Sequence, residues 1–198
     1  MEELEKYQLF ERQINYIENE RLKQFAEYAI KKVPDYFFVI PASSTGKFHP
    51  QYALGEHGLL RHVKAAVNIA NDLLHRTIMY DKVFDDNTKD NIIIALLFHD
   101  CLKSGNPEEK YTRADHPRLA AEFIQELYDK WSEIEDDTAP SFFAPRLILS
   151  HMGQWNTDYR WHKEILPKPE QEDELFVHLC DYLASRKYLE FIFEEYKI

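Results

Sequence analysis

Ile92-Ile93-Ile94-Ala95-Leu96-Leu97-Phe98-His99-Asp100-Cys101-Leu102-Lys103 is the stretch on which the reading of the chain turns. Seven apolar residues in a row read as a helix sunk in a core. The run closes on an imidazole and a carboxylate side by side. Burying that pair costs several kcal/mol unless something satisfies both groups. A divalent metal would satisfy both, so every other candidate is judged by whether it can converge on His99-Asp100.

Helical patterns lie on both sides of this stretch. Leu4, Tyr7, Phe10, Ile14, Ile17, Leu22, Phe25 and Ile30 recur at three- to five-residue spacing, which predicts one amphipathic helix over 2–32, stopped before Pro34. Residues 33–55 read as loop. Its Ser43-Ser44-Thr45-Gly46-Lys47 lacks the paired glycines and the Gly-Lys-Ser/Thr ending of a phosphate loop, and His49 within it is read as structural. A second helix is expected over 56–80, with Leu59, Leu60, Val63, Val67, Ala70 and Leu74 as its stripe and His62 beside that stripe. The third helix, capped by Asn87 or Thr88, runs to about Leu102. Asp85 and Asp86 lack the spacing of a calcium loop. Asp115-His116-Pro117 opens a fourth helix, with Asp115 as its cap and Pro117 in its first turn. Residues 133–141, with Glu135, Asp136 and Asp137, read as a solvated acidic connection. A fifth helix covers 142–152 and ends at His151. The 156–172 loop, with Tyr159, Arg160 and Trp161 following Trp155, is a lid or a surface connection. The last helix starts near Asp173 and carries Cys180-Asp181, and the tail 188–198 continues as helix.

Composition bounds what this chain can be. At 198 residues, 44% hydrophobic and with only 5 glycines, it reads as one all-α domain of about six to eight helices. Its parts are an N-terminal helix (1–32), a core (41–187) and a C-terminal tail (188–198). Two cysteines in apolar patterns, Cys101 and Cys180, read as small core residues and fit a reducing compartment. No apolar run reaches the ~18 residues of a membrane span, and the acidic start lacks a signal peptide's basic region. A cytoplasmic protein with no membrane partner is therefore expected. A net charge of −11 argues against long nucleic acid as the main partner, since duplex binding neutralises phosphates with Lys and Arg. A small anion stays open, because a metal supplies local positive charge.

The convergent candidates are His62, His99, Asp100, His116, His151 and Asp181, each at a helix or a helix end and each flanked by apolar residues. Mixed imidazole and carboxylate ligation suits one or two divalent ions from among Mn, Fe, Mg, Ni, Co and Zn. Two such ions about 3.5–4 Å apart clamp a phosphate and activate a water in line with the leaving oxygen.

This pattern resembles the HD-domain metal-dependent phosphohydrolase superfamily. The resemblance is carried over about 41–187 by Pro41-Ala42-Ser43, Gly58-Leu59-Leu60-Arg61-His62, Leu97-Phe98-His99-Asp100-Cys101-Leu102-Lys103, Asp115-His116-Pro117, Ser150-His151-Met152-Gly153 and Cys180-Asp181-Tyr182-Leu183-Ala184. It implies a helical bundle in which His62, His99, Asp100 and Asp181 hold a first metal. His116 and His151 look like the extra histidines of two-metal members. The segments are closest to the HD domain of bacterial 3′–5′ exoribonucleases. Two features depart from those relatives: Met152 stands where they often carry a second histidine, and no OB-type nucleic-acid-binding domain is expected at the N-terminus.

Asp100 and Lys103 are the residues expected to act in the chemistry. Asp100 would ligate metal and orient the water, and Lys103 would contact phosphate as a point charge. Arg61, Trp155 and Arg186, with Lys103, are the candidate substrate contacts. Three readings stay open. The first is a metal-dependent phosphohydrolase acting on a nucleotide or small phosphate ester. The second is a 3′–5′ nuclease on short single-stranded RNA or DNA, whose bases the Trp155–Trp161 loop would stack. The third is a non-catalytic nucleotide-binding sensor. A homo-oligomer is compatible with each.

Overall fold

Helix α4 (Asp86–Phe98) is buried on every side from Lys89 to Phe98. A helix apolar all round can exist only where other helices surround it. Here α1 (Glu3–Ile14), α3 (Gly58–Arg76), α6 (Ala144–Ser150) and α7 (Glu172–Ala184) pack directly on it. Helix α2 (Glu20–Lys32) packs on α1, and α5 (His116–Ser132) packs on α2 and α6. The computed structural model describes residues 1–43, 45–76, 80, 82–133, 140–158 and 162–189. Among these the protein is an all-α bundle of seven helices, and side chains of all seven meet in one core.

Several boundaries differ from the sequence expectation. The helix expected over 2–32 is two helices. Asn15 ends α1, and the Asn19 side chain caps α2 by accepting from the N–H groups of Arg21 and Leu22. The intervening backbone is satisfied from α4: the Asp90 carboxylate accepts from Glu18 N–H at 2.8 Å and Asn19 N–H at 2.9 Å. Apolar spacing carried through the break because Ile14, Ile17 and Leu22 are all fully buried in the same core. Helix α4 is capped by Asp85, which accepts from Thr88 N–H at 2.7 Å, rather than by Asn87 or Thr88. It stops at Phe98, and the next residues continue in tight turns, with Cys101 N–H on Phe98 O and Lys103 N–H on Asp100 O.

Helix α3 begins at Gly58, where a Cβ would lie 2.3 Å from the Ala53 carbonyl oxygen, so the loop can cross only a glycine. Helix α5 starts at His116, but the Asp115 side chain does not cap it and instead pairs with Arg113. The 156–172 loop contains an antiparallel pair that the sequence did not announce: β1 (Thr157–Asp158) faces β2 (Lys163–Glu164), with Thr157 opposite Glu164. Strands of two residues carry no alternation to read. Lys187–Leu189 forms a short 3-10 turn after α7. Tyr159, Arg160 and Trp161, the acidic Glu135, Asp136 and Asp137, and the tail from 190 lie outside the described residues.

Candidate metal centre

The ends of five helices meet around Asp100. Helix α4 delivers His99 and Asp100 just past its C-terminus, α6 delivers His151 as its C-terminal cap residue, and α5 delivers His116 as its first residue. His62 comes from the first turns of α3 and Asp181 from the last turn of α7. Arg146 of α6 fixes α6 beside α7 through Asp173 (2.5 Å) and Glu174 (2.9 Å). The six expected residues are thereby brought together. Asp100 shares one cluster with His62 and His99 and another with His116 and His151, and a third cluster contains His99, His151 and Asp181. The donor atoms within each cluster lie within 4.8 Å of one another.

The two Asp100 oxygens face different histidines. Oδ2 lies 3.5 Å from His99 Nε2 and 3.9 Å from His62 Nε2, whereas Oδ1 lies 2.9 Å from His116 Nε2 and 3.9 Å from His151 Nε2. Asp181 Oδ1 lies 3.0 Å from His62 Nε2 and 3.6 Å from His99 Nε2. A single carboxylate thus has one oxygen for each half of the cluster.

The tautomers are set by the main chain. His99 Nδ1 bonds Leu96 O (2.8 Å), His116 Nδ1 bonds Arg113 O (2.6 Å) and His151 Nδ1 bonds Ile148 O (2.7 Å). In each case the partner is the carbonyl three residues earlier. A carbonyl oxygen only accepts, so Nδ1 carries the proton and a neutral ring turns its Nε2 lone pair to the cluster. Metal-ligating histidines are oriented in this way. His99 Nε2, His116 Nε2 and Asp100 Oδ1 are buried without a hydrogen-bond partner. Orphaned buried polar atoms are costly, and here they converge. Two carboxylates and lone-pair imidazoles form a donor set that fits a divalent cation.

The charge of the two carboxylates supports the same conclusion. Burial alone would raise the Asp100 carboxyl, but Lys103, His99 and His116 outweigh it and hold it well below the usual carboxylate range. Burial is likewise outweighed at Asp181 by His62 and His99. At His99 burial is overcome by Asp100 and Asp181, which push the imidazole up. Burial, with His99 alongside, pushes His151 down to about 3, so it stays neutral. Both carboxylates are therefore ionised and ready to bind a cation.

The cluster opens into a cavity of about 240 Å³ whose wall includes His49, Lys103, Met152, Trp155, Ser185 and Arg186. Lys103 pairs with Asp100 through Nζ and Oδ2. Trp155 stacks on Tyr182 at 5.8 Å and 12°, and the Arg186 guanidinium lies 5.1 Å and 4.5 Å from those two rings. Arg61 is not brought to this cavity. Its guanidinium donates to the carbonyls of Tyr52 (2.5 Å), Leu54 (2.9 Å) and Glu56 (2.8 Å), which makes it a clamp on the preceding loop. A larger cleft of about 750 Å³ lies alongside and shares Thr112, but its cations are committed: Arg113 to Asp115 and Glu109, Arg118 to Ile165 O. The chemistry-bearing donors line the smaller cavity.

Two residues lie outside the expected set: His49, which the sequence reading took as structural, and His178, which it did not name. His49 lines the cavity with its ring edge-on to His62 at 5.7 Å between centroids. His178 donates from Nδ1 to His151 O at 2.7 Å and covers Gly153, whose φ is +57° and where a Cβ would lie 2.3 Å from the His178 ring. His178 falls three residues before Asp181, a helical spacing that was the available signal. His49 sits in irregular chain and offered none.

Cys101 and Cys180 are free and fully buried beneath the site, and burial pushes both thiols up. Among the described residues no helix is long and apolar enough to cross a membrane. Comparison with protein-family models, with curated proteins and with solved structures gives no match.

Proposed function

We propose that this protein is a metal-dependent phosphohydrolase of the HD type, acting on a phosphate ester of a nucleotide or related small molecule. The observation that carries this reading is the pair of carboxylates, Asp100 and Asp181, facing His62, His99, His116 and His151, of which the last three have Nδ1 tied to carbonyls and Nε2 turned inward. His62, His99, Asp100 and Asp181 would hold a first metal, and Asp100, His116 and His151 a second. When bound, such a metal supplies Lewis-acid polarisation of a phosphoryl oxygen and makes water nucleophilic at neutral pH.

The chain's own residues do the rest. Asp100, held ionised, presents one oxygen to each half of the cluster and fixes where the attacking oxygen can sit. Lys103 places a cationic Nζ on the cavity wall beside Asp100, where it can meet a phosphoryl oxygen as a point charge. Arg186, whose guanidinium lies over the Trp155 and Tyr182 rings, stands at the same wall. The buried apolar floor excludes bulk water and strengthens each of these interactions.

A second reading, 3′–5′ cleavage of short single-stranded RNA or DNA, is favoured by the Trp155–Tyr182–Arg186 stack, because an aromatic ring at a cavity wall can take a base by stacking. One screen separates the readings. The purified chain, supplied in turn with Mn, Fe, Mg, Ni, Co and Zn, is assayed on nucleoside monophosphates, small diesters and short oligonucleotides, with Asp100→Asn alongside. Turnover of the small esters that disappears in Asp100→Asn supports the first reading, and preference for oligonucleotides supports the second. Nucleotide binding without turnover across all six metals would make the site a sensor and overturn both.

A further inference from the structure

We propose that His49 touches the substrate, donating a hydrogen bond from its ring to a phosphoryl oxygen of the ester in the cavity. The inference rests on the phosphohydrolase reading and adds to it a residue from the loop that precedes α3.

That loop is irregular but firmly held. Ala42 N–H bonds Ala53 O at 3.1 Å, which closes its neck. Arg61 of α3 grips Tyr52, Leu54 and Glu56 through their carbonyls. Lys187 N–H donates to Phe48 O at 2.7 Å, and the Tyr52 hydroxyl donates to Ala184 O at 2.7 Å, so the loop is stapled to the end of α7. These bonds set His49 on the same cavity wall as Arg186 and Lys103. A contact group on a pinned loop is oriented before the substrate arrives.

The histidines of the chain provide the comparison. His57, His99, His116, His151 and His178 each direct Nδ1 at a main-chain carbonyl, at 2.6–2.8 Å. Each of these five rings is held by the main chain through Nδ1. His49 Nδ1 is buried and has no such partner; His62 Nδ1 has none either, but His62 belongs to a candidate metal cluster and His49 does not. His49 also stands outside the clusters whose donor atoms could share an ion. Its ring packs against His62 without replacing any member of the set. A ring nitrogen without a partner, beside a candidate metal cluster and on a wall that carries Lys103 and Arg186, matches an anionic acceptor. Among the described residues Arg186 has no carboxylate partner and bonds only Ser185 Oγ. In a chain of net charge −11 this wall concentrates donors. A phosphoryl oxygen only accepts, so the ring must donate to it.

The test uses the full chain loaded with Mn²⁺ and inorganic phosphate as the probe. Wild type, His49→Ala and His49→Asn are compared by calorimetric phosphate affinity and by elemental analysis. Asn places an amide N–H close to where Nδ1 stands. A hydrogen bond to a charged acceptor implies about tenfold weaker phosphate binding in His49→Ala. His49→Asn should stay within about threefold of wild type, and manganese content should be equal in all three. Unchanged phosphate affinity in His49→Ala, or no recovery in His49→Asn, overturns the contact. Loss of manganese in His49→Ala overturns it differently, by making His49 a ligand. Failure of the wild type itself to bind phosphate is seen before any substitution and counts against the phosphohydrolase reading as well.

Discussion

Helix α4 carries a buried aspartate near its start and delivers another just past its end, and the two are treated in opposite ways. Asp90 and Asp100 are equally buried, each 2% exposed. Asp90 is closed: its oxygens accept from Glu18 N–H and Asn19 N–H, and it seals the break between α1 and α2. Burial pushes its carboxyl up despite those bonds. Asp100 is open: one oxygen pairs with Lys103, the other has no hydrogen bond, and four Nε2 atoms surround the carboxylate. Its carboxyl is held low. Burial alone therefore does not mark a functional carboxylate. What separates the two is whether main-chain donors close the oxygens or side chains leave them for a ligand.

Substitution should separate the two roles. Asp100→Ala is expected to weaken metal binding by at least about 100-fold and to abolish hydrolysis in a protein that still folds. Elemental analysis beside circular dichroism reads this, and a variant that kept its metal would erase the distinction. Asp90→Ala is expected to do the reverse. Two N–H groups lose their acceptor, at a cost of about 2 kcal/mol by denaturant unfolding, while metal per folded molecule stays constant. Loss of metal in that variant would mean that the two ends of α4 are not independent. His178→Ala removes the donor that holds the His151 carbonyl, and about tenfold weaker metal affinity is expected by titration calorimetry. No change would place the α6 turn outside the site's support.

The smallest effect lies at the exposed cap of α4, where Asp85→Ala should cost about 1 kcal/mol. Thr88 holds the Asp85 carboxyl below its ordinary value of 3.8. The cap's contribution is thus complete above that pH and fades as pH falls through the lower folded value, so wild type and variant should converge in stability in acid.

The sequence made Asp100 visible and left Asp90 unremarked, for a physical reason. His62, His99, His116, His151 and Asp181 each sit against apolar runs at helix ends, so polar groups there stand out, and the structure gathers them around Asp100. Asp90 stands among Lys89 and Asn91 at a helix start, where acidic residues are ordinary. Its partners lie about seventy residues away. The break they close was hidden because helices on both sides share one core. Arg61 was expected as a substrate contact, but its partners are carbonyls, which no side-chain pattern records. His49 was read as structural because irregular chain has no period to place it, and the bonds from Lys187 and Tyr52 hold its loop to the end of α7.

Whether the Asp100 cluster is a metal centre is decided by the metal content of the purified full chain, followed by thermal unfolding before and after chelation. One or two equivalents of a divalent metal are expected, with a lower Tm after chelation that returns on re-addition, because a cation at 100 times its Kd stabilises the native state by about 2.7 kcal/mol. A chain that purifies without metal and shows no shift in Tm with Mn, Fe, Mg, Ni, Co or Zn would contradict it.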